Sequence, residues 1–513
     1  MRLKKTSTRR KTAVAQAKTK TSQSTPARIS SRNTSNPAKN SLPKDTASSA
    51  KSTSTKRKTP SHDLAQPPSK RTKAVSEPRA TAASEKTTTA PRPLSPGPAL
   101  NQPPSQPLSV FVVGSGECGE LGLGPNETET QRPRINPFLN PKGPSSKYKV
   151  FQLSCGGMNT VARTVDNKIV TWGVNVNYAL GRNTDWDGVL RDVDADSSNE
   201  EEEGELNPHE FTPTAIPGSA FPLDTRFVHV AAGDSCSFAL TDTGLVYGWG
   251  TFRDGSGNEQ FGYDTDGRFV KGQKKPVLIP GIQNITQITC GANHVLALEA
   301  NGRVWGWGSD EQNQLGHRLL DVMPNTSDPV SLKDNVWAGG LNSFGEAGYA
   351  KGAGSDSALL PYPIKIPGLG SENVVVIDGG AHHSAAVTAT GECLVWGRID
   401  GGKLGVEFTS SQLDDEQVIR YDERDKPRNC LQPTLARGTG RAVHVACGTG
   451  HTVFVNEAGK GFAAGLGSSG QLGLGSDDDV EVARQVQSKD LEGRVLTWAG
   501  AGGQFSIVAG PTA

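Results

Sequence analysis

Short apolar runs ending in glycine recur along residues 108–513, and they do so in two alternating forms. The first form ends at Gly156, Gly233, Gly291, Gly380, Gly448 and Gly502. The second, most clearly a Trp-Gly pair, ends at Gly114, Gly173, Gly250, Gly308, Gly340, Gly397 and Gly465. Where both forms follow one another the spacing is 17 residues, five times over. Between them, 11 residues after the first glycine, stand Asn167, Gly244, Gly302, Gly391 and Gly459. These residue types accept the positive φ of a tight hairpin. They separate strand-length apolar segments such as 238–240 and 245–247. Short strands repeated at fixed phase predict an all-β radial array, a propeller. Trp172, Trp249, Trp307 and Trp396 hold one repeat phase and are expected in the core.

The ends and the irregular copies refine this reading. Gly114 has no first half before it, and Gly502 has no second half after it. Each orphan completes the other if N- and C-terminal strands pair in one blade, which removes open sheet edges. Seven second halves then predict seven blades. Gly340 lacks a first half: residues 317–334 hold no apolar-glycine element, so the fifth blade is expected to be incomplete. Each second half also runs to another glycine eight residues on, except that Gly250 runs 12 residues to Gly262. That expansion is the first place to look for function.

Charge divides the chain. Residues 1–107 carry 22 Lys/Arg against 4 Asp/Glu and no Phe, Trp or Tyr, so they are expected to form a disordered basic tail. The remainder, 108–513, is acidic, with 32 basic and 49 acidic residues, and is long enough for one closed domain. Basic clusters at Lys4, Lys5, Arg9, Arg10 and Lys11, at Lys56, Arg57 and Lys58, and at Lys70, Arg71 and Lys73 suit a nuclear import receptor or DNA phosphates. No run of 18 apolar residues predicts a membrane span. Seven cysteines without a CxxC pair predict neither a disulfide framework nor a metal site.

Two GxGxxG matches, starting at Gly114 and Gly465, fall at one repeat phase and begin no helix, so no nucleotide site or cofactor is expected. His294, His383 and His451 all lie three residues after a first-half glycine, which marks them as structural. Asp234 and His382 are off-pattern polar residues in loops of the same kind, and either function or ordinary loop variation accounts for them.

The phrases VAAGDSCSFALTDTGLVYGWGTFRD, ITCGANHVLALEANGRVWGWGSDEQNQLG and GGAHHSAAV resemble the regulator of chromosome condensation family over residues 108–513. The expansion after WGTFRD is similar to the β-wedge of that family's exchange factors for the GTPase Ran. The resemblance implies a seven-bladed propeller with Ran on one face and nucleosomes on the other. It implies GTPase-contacting roles for Asp234, His382 and Glu117, and for the wedge residues Arg253, Asp254, Gly255, Ser256, Gly257, Asn258, Glu259, Gln260 and Phe261. Asn293 stands where the family has an aspartate. Such a protein promotes nucleotide release without covalent chemistry of its own. The rival expectation is a scaffold propeller that binds chromatin or a ubiquitin-ligase partner, which does not require the expansion.

Overall fold

The structure is a computed structural model that describes residues 99–102, 106–188, 205–263, 268–316, 336–355, 358–370 and 372–512. The basic clusters of the tail, most of the acidic insertion at 192–205, and the 317–334 stretch of the fifth blade lie outside these residues.

The glycine-punctuated runs are strands of antiparallel sheets, and the chain is an all-β propeller. The second repeat is representative. Val150–Cys155 pairs with Asn159–Thr164, which pairs with Ile169–Gly173, and Asn167 makes the turn at φ 62°. Every residue of Asn159–Thr164 and of Cys236–Thr241 is buried. Neighbouring sheets therefore cover both faces of these strands, burying even Asn159 and Arg163 of the first.

Leu108–Ser115 pairs with Phe505–Pro511 from Leu108↔Pro511 to Gly114↔Phe505, so the two orphan halves of the repeat share one sheet. Glu129–Ile135 flanks that sheet on one side and Trp498–Ala501 on the other.

The first-half glycines set the spacing between sheets. A Cβ on Gly156, Gly233, Gly380 or Gly448 would stand 2.1–2.7 Å from the carbonyl oxygen of the next first-half glycine, so no other residue fits. Gly503 donates to Gly157 O at 2.8 Å and carries the succession across the chain ends. Followed from Gly380 through Gly448, Gly502, Gly156 and Gly233 to Gly291, the backbones touch in order. At Gly291 the nearest neighbour is the ring of His294 in its own sheet.

Further out, among the described residues, a backbone carbonyl in the loop after five of the second halves takes hydrogen bonds from the next sheet. Trp172 Nε1 donates to Glu120 O at 3.0 Å. Trp249 Nε1 and Ser237 Oγ both donate to Ala179 O, and Trp396 Nε1 and Ser384 Oγ both donate to Glu346 O. Thr452 and Ser506 donate in the same way to Lys403 O and Gln471 O. Trp172, Trp249 and Trp396 are thus buried and also fasten one sheet to the next, whereas Trp307, expected in the core with them, is only half-buried.

One strand position departs from the repeat. Trp337–Leu341 pairs with Leu359–Lys365, and this is the described part of the fifth repeat. The residue three before the first-half glycine is 1–3% exposed at Leu153, Val230, Ile288, Val445 and Ala499, but Ile377 is 52% exposed. Ile377 lies in Val374–Gly379, the strand that follows the fifth repeat in the chain.

Candidate functional site

Strand alternation puts the candidate residues on one rim. Loops after the first-half glycines and after the second-half glycines both follow strands running the same way, while the turns at Asn167, Gly244, Gly302, Gly391 and Gly459 lie at the opposite end. Asp234, Asn293 and His382 belong to loops of the first kind. Glu117 and the 251–262 segment belong to the second kind.

The expanded segment folds as a short hairpin. Phe252–Arg253 pairs with Glu259–Gln260, and the tip is Asp254 to Asn258. Asp254 organises that tip: Oδ1 accepts from Ser256 N at 2.9 Å and Asn258 N at 2.7 Å, and Oδ2 accepts from Asn258 Nδ2 at 2.8 Å. These bonds hold its carboxyl below the usual range. Gly257, at φ 80°, supplies the left-handed residue that the turn requires. A second small ladder, Gly262–Tyr263 with Phe269–Val270, follows the first. The expansion is therefore a replacement of the usual loop, not four residues added to it. At Gly122 and Gly181 the eight-on glycine packs on a tryptophan of the next sheet, whereas Gly262 has open space around it.

The next sheet tethers the hairpin. Asn293 Oδ1 accepts from Arg253 N at 2.8 Å, and Glu311 Oε2 accepts from Gly255 N. Asn293 thus acts within the chain. Its amide oxygen takes the bond without the charge that an aspartate would bring.

Asp234 is exposed at the mouth of a central cavity of about 490 Å³. Its own N–H donates to Ala292 O at 2.9 Å. Crowding by the neighbouring loops pushes its carboxyl up, against a hydrogen bond from Gly157 that lowers it. Glu117 is exposed on its loop, while its neighbour Glu120 is buried and pushed up to about 7 by that burial.

The repeat phase, the projecting hairpin and the rim together identify the lineage. An RCC1-like domain matches residues 109–334. The guanine nucleotide exchange factor SRM1 of Saccharomyces cerevisiae is 34% identical over 439 residues, covering 79% of this chain and 88% of that protein. Protein pim1 of Schizosaccharomyces pombe is also 34% identical, covering 79% and 75%. The chain belongs to the RCC1 family. The crystal structure of Prp20p from Saccharomyces cerevisiae, described with its binding to Gsp1p and histones, superposes with a TM-score of 0.67 at 31% identity, covering 80% and 92% of the two chains.

In this RCC1-family chain the histidines separate by surroundings. His383 and His451 are buried, and their Nε2 atoms lie 2.9 Å from Thr452 Oγ1 and 2.8 Å from Ser506 Oγ in the next sheet. Burial pushes them down to about 3 and about 4, so both are neutral fasteners. His294 is half-buried and likewise pushed down by crowding. His382 is half-buried on the rim, 4.8 Å ring to ring from Phe344. Crowding first, then the Arg398 and Lys403 cations, push it down.

Sequence reasoning missed that cluster. Arg398 and Arg428 stand 4.7 and 5.1 Å from the centre of the Phe344 ring, and Arg398 is paired with Asp400 at 2.5 Å. It missed Glu311 as well, one more acid in a loop of ordinary spacing.

Proposed function

We propose that this chain is the nuclear, chromatin-associated guanine-nucleotide exchange factor of the Ran GTPase. A relative of like length, SRM1, is named a guanine nucleotide exchange factor, and the Prp20p structure is described with binding to Gsp1p and histones. A structure of the same yeast protein with Kap60 supports an import receptor as a further partner of this chain. The observation that carries the reading is the hairpin 252–260. One sister loop is rebuilt into a projecting element with its own turn clamp and two tethers to the next sheet, a cost that packing alone does not demand.

The mechanism is differential binding. A GTPase holds its nucleotide through its phosphate-binding loop, and release is slow because the empty state is unstable. An exchange factor binds the empty state more tightly and so lowers that barrier. The hairpin enters the phosphate region of the GTPase, while Asp234, His382 and Glu117 hold contacts around it on the same rim. Asn293, Glu311 and the Asp254 clamp keep the hairpin in shape before the partner arrives, which reduces the ordering cost of binding. By linkage, release of GDP and of GTP are both accelerated, so cellular nucleotide concentrations set the direction. No covalent step is required of this chain.

Seven blades closed by the shared terminal sheet, with the fifth shortened, remain our reading of the full ring. The basic tail of residues 1–107 is the arm for DNA and the import receptor. Its last part is already fastened: Leu100 N and Asn101 N donate to Asp242 O at 2.7 and 3.1 Å, and Asn101 Nδ2 donates to Ile285 O at 2.9 Å. Asp242 lies in a turn of the rim opposite the hairpin. The chain therefore joins the propeller on that opposite face, which supports chromatin and GTPase binding on separate faces.

Release of a fluorescent guanine nucleotide from Ran tests the assignment. The full chain should accelerate release at catalytic amounts. A variant with the Gly250-to-Gly262 segment cut to the sister length should keep its melting temperature and lose the acceleration by orders of magnitude. Equal rates for the two proteins would move the family role away from the hairpin and favour a scaffold.

A further inference from the structure

Five sheet-to-sheet joints are closed by hydrogen bonds from a hydroxyl, an indole or both to one backbone carbonyl. The joint beneath the hairpin is different. At the phase of Ser237, Ser384, Thr452 and Ser506 it has Val295, fully buried. At the phase of Trp172, Trp249 and Trp396 it has Trp307, whose Nε1 is buried with no acceptor among the described residues. The carbonyl that would serve both is absent because the loop that carries it elsewhere has become the hairpin.

Aromatic rings fill the space instead. Phe238, Phe252 and Phe261 stack with centroids 6.2–6.4 Å apart and planes within 18°. Trp307 meets Phe238 edge-on at 5.6 Å. Phe252 opens the first strand of the hairpin and Phe261 directly follows the second, so the stack is its base. Loss of the hydroxyl, loss of the carbonyl and gain of three rings occur at one joint, and it is the joint that carries the projecting element.

We propose that Trp307 is a positioning residue for exchange, acting through this stack to set the angle at which residues 253–260 leave the rim. This rests on the exchange function proposed above. Hydrogen bonds hold direction narrowly, whereas stacked rings hold separation and slide at small cost. The other joints therefore keep the sheets in register, and this one lets the hairpin settle against a GTPase without breaking a buried hydrogen bond.

The test uses Trp307→Phe, Trp307→Leu and a control, Trp172→Phe, in the full chain. Three quantities are measured: melting temperature, amide hydrogen exchange at 253–260, and kcat and KM for nucleotide release from Ran. Trp307→Phe should keep wild-type hairpin protection and kcat and lose clearly less melting temperature than the control, because both variants lose ring volume and only the control loses a hydrogen bond. Trp172→Phe should melt lower, having lost its bond to Glu120 O, with unchanged hairpin protection. Trp307→Leu should speed amide exchange at 253–260 and lower kcat by about tenfold or more, with KM within about twofold. If Trp307→Leu does not fold, Phe261→Leu carries the same expectation. A melting loss in Trp307→Phe equal to that of Trp172→Phe would show that the indole has a partner and overturn the dry joint. Normal kcat and protection in Trp307→Leu would overturn the positioning role. If the wild-type chain releases no nucleotide, the exchange function fails, while the melting and amide-exchange arms still decide the joint.

Discussion

Asp378 offers a sharp electrostatic test of how the inner ring of strands is held. It lies two residues before a first-half glycine, where the sister strands carry Ser154, Ala231, Thr289, Ala446 and Gly500. Ser154 Oγ accepts from Ala232 N of the next sheet at 3.0 Å, and Asp378 Oδ2 makes the same kind of link to Cys447 N at 2.8 Å. One carboxylate therefore does the work of a neutral hydroxyl beside the central cavity. Burial raises its pKa from 3.8 to about 6, and the N–H groups of Cys447 and Gly379 only partly oppose this. At about 1.4 kcal/mol per pH unit the shift corresponds to roughly 3 kcal/mol, discounted to about 1–2 kcal/mol because the side chain keeps some contact with the cavity. The sign follows from the raised folded value. The protonated acid is the form the fold prefers, so this contribution is complete below pH 3.8 and is lost as pH rises through about 6. Asp378→Asn keeps an oxygen for the Cys447 N–H and removes the charge. The variant should melt together with wild type near pH 4 and roughly 2 °C or more above it at pH 7, with the gap opening between. His229 and His444, both pushed down to about 4, titrate equally in the two proteins and cancel in the difference. A gap independent of pH, or a wild type that melts higher at pH 7, would refute the argument.

Asp234→Ala and His382→Ala should each cut exchange strongly while leaving melting near wild type, whereas His383→Ala and His451→Ala should lower melting and lose activity only in step with it. Paired melting curves and release rates separate the two sets. Deleting residues 1–98, and so sparing the Leu100 and Asn101 bonds, should shift the protein toward the cytoplasm and flatten the salt dependence of DNA binding without changing exchange in solution; an unchanged salt slope would remove DNA from the role of the tail. Inserting a complete first half before Asn335 should raise the melting temperature, since covering half-exposed Ile377 alone is worth about 1 kcal/mol. A high, cooperative melting transition in the unaltered chain would argue against the gap.

Regular spacing made most of the scaffold readable in advance. A fixed 17-residue interval and a turn residue at one phase are local signals, and they located the strands and the shared terminal sheet. The hairpin was visible as extra length. Its turn clamp was visible in principle, since Asp254 and Gly257 around a polar tip form an Asx-type turn. Its replacement of a joint was not visible, because that depends on which carbonyl of one sheet faces Trp307 and Val295 of the next. The Phe344 cluster was hidden for a related reason. His382, Arg398 and Arg428 are held together by one sheet, and radial stacking sets Phe344 of the preceding repeat against them. Asp378 fell at a position of no special length or motif, and its significance lies wholly in the burial that the ring imposes.

Joining both chain ends in one sheet also sets a schedule for synthesis. Leu108–Ser115 leaves the ribosome roughly 390 residues before its partner Phe505–Pro511 exists. At about 5–20 residues per second that is on the order of 20–80 s. For that interval the apolar run Val110 to Val113 has one strand edge without its final neighbour. A nascent chain in this state is open to mispairing with other chains, and truncated translation products never leave it. The expected cellular counterpart of this geometry is chaperone engagement during translation, concentrated on the first repeat and ending when the last strand docks.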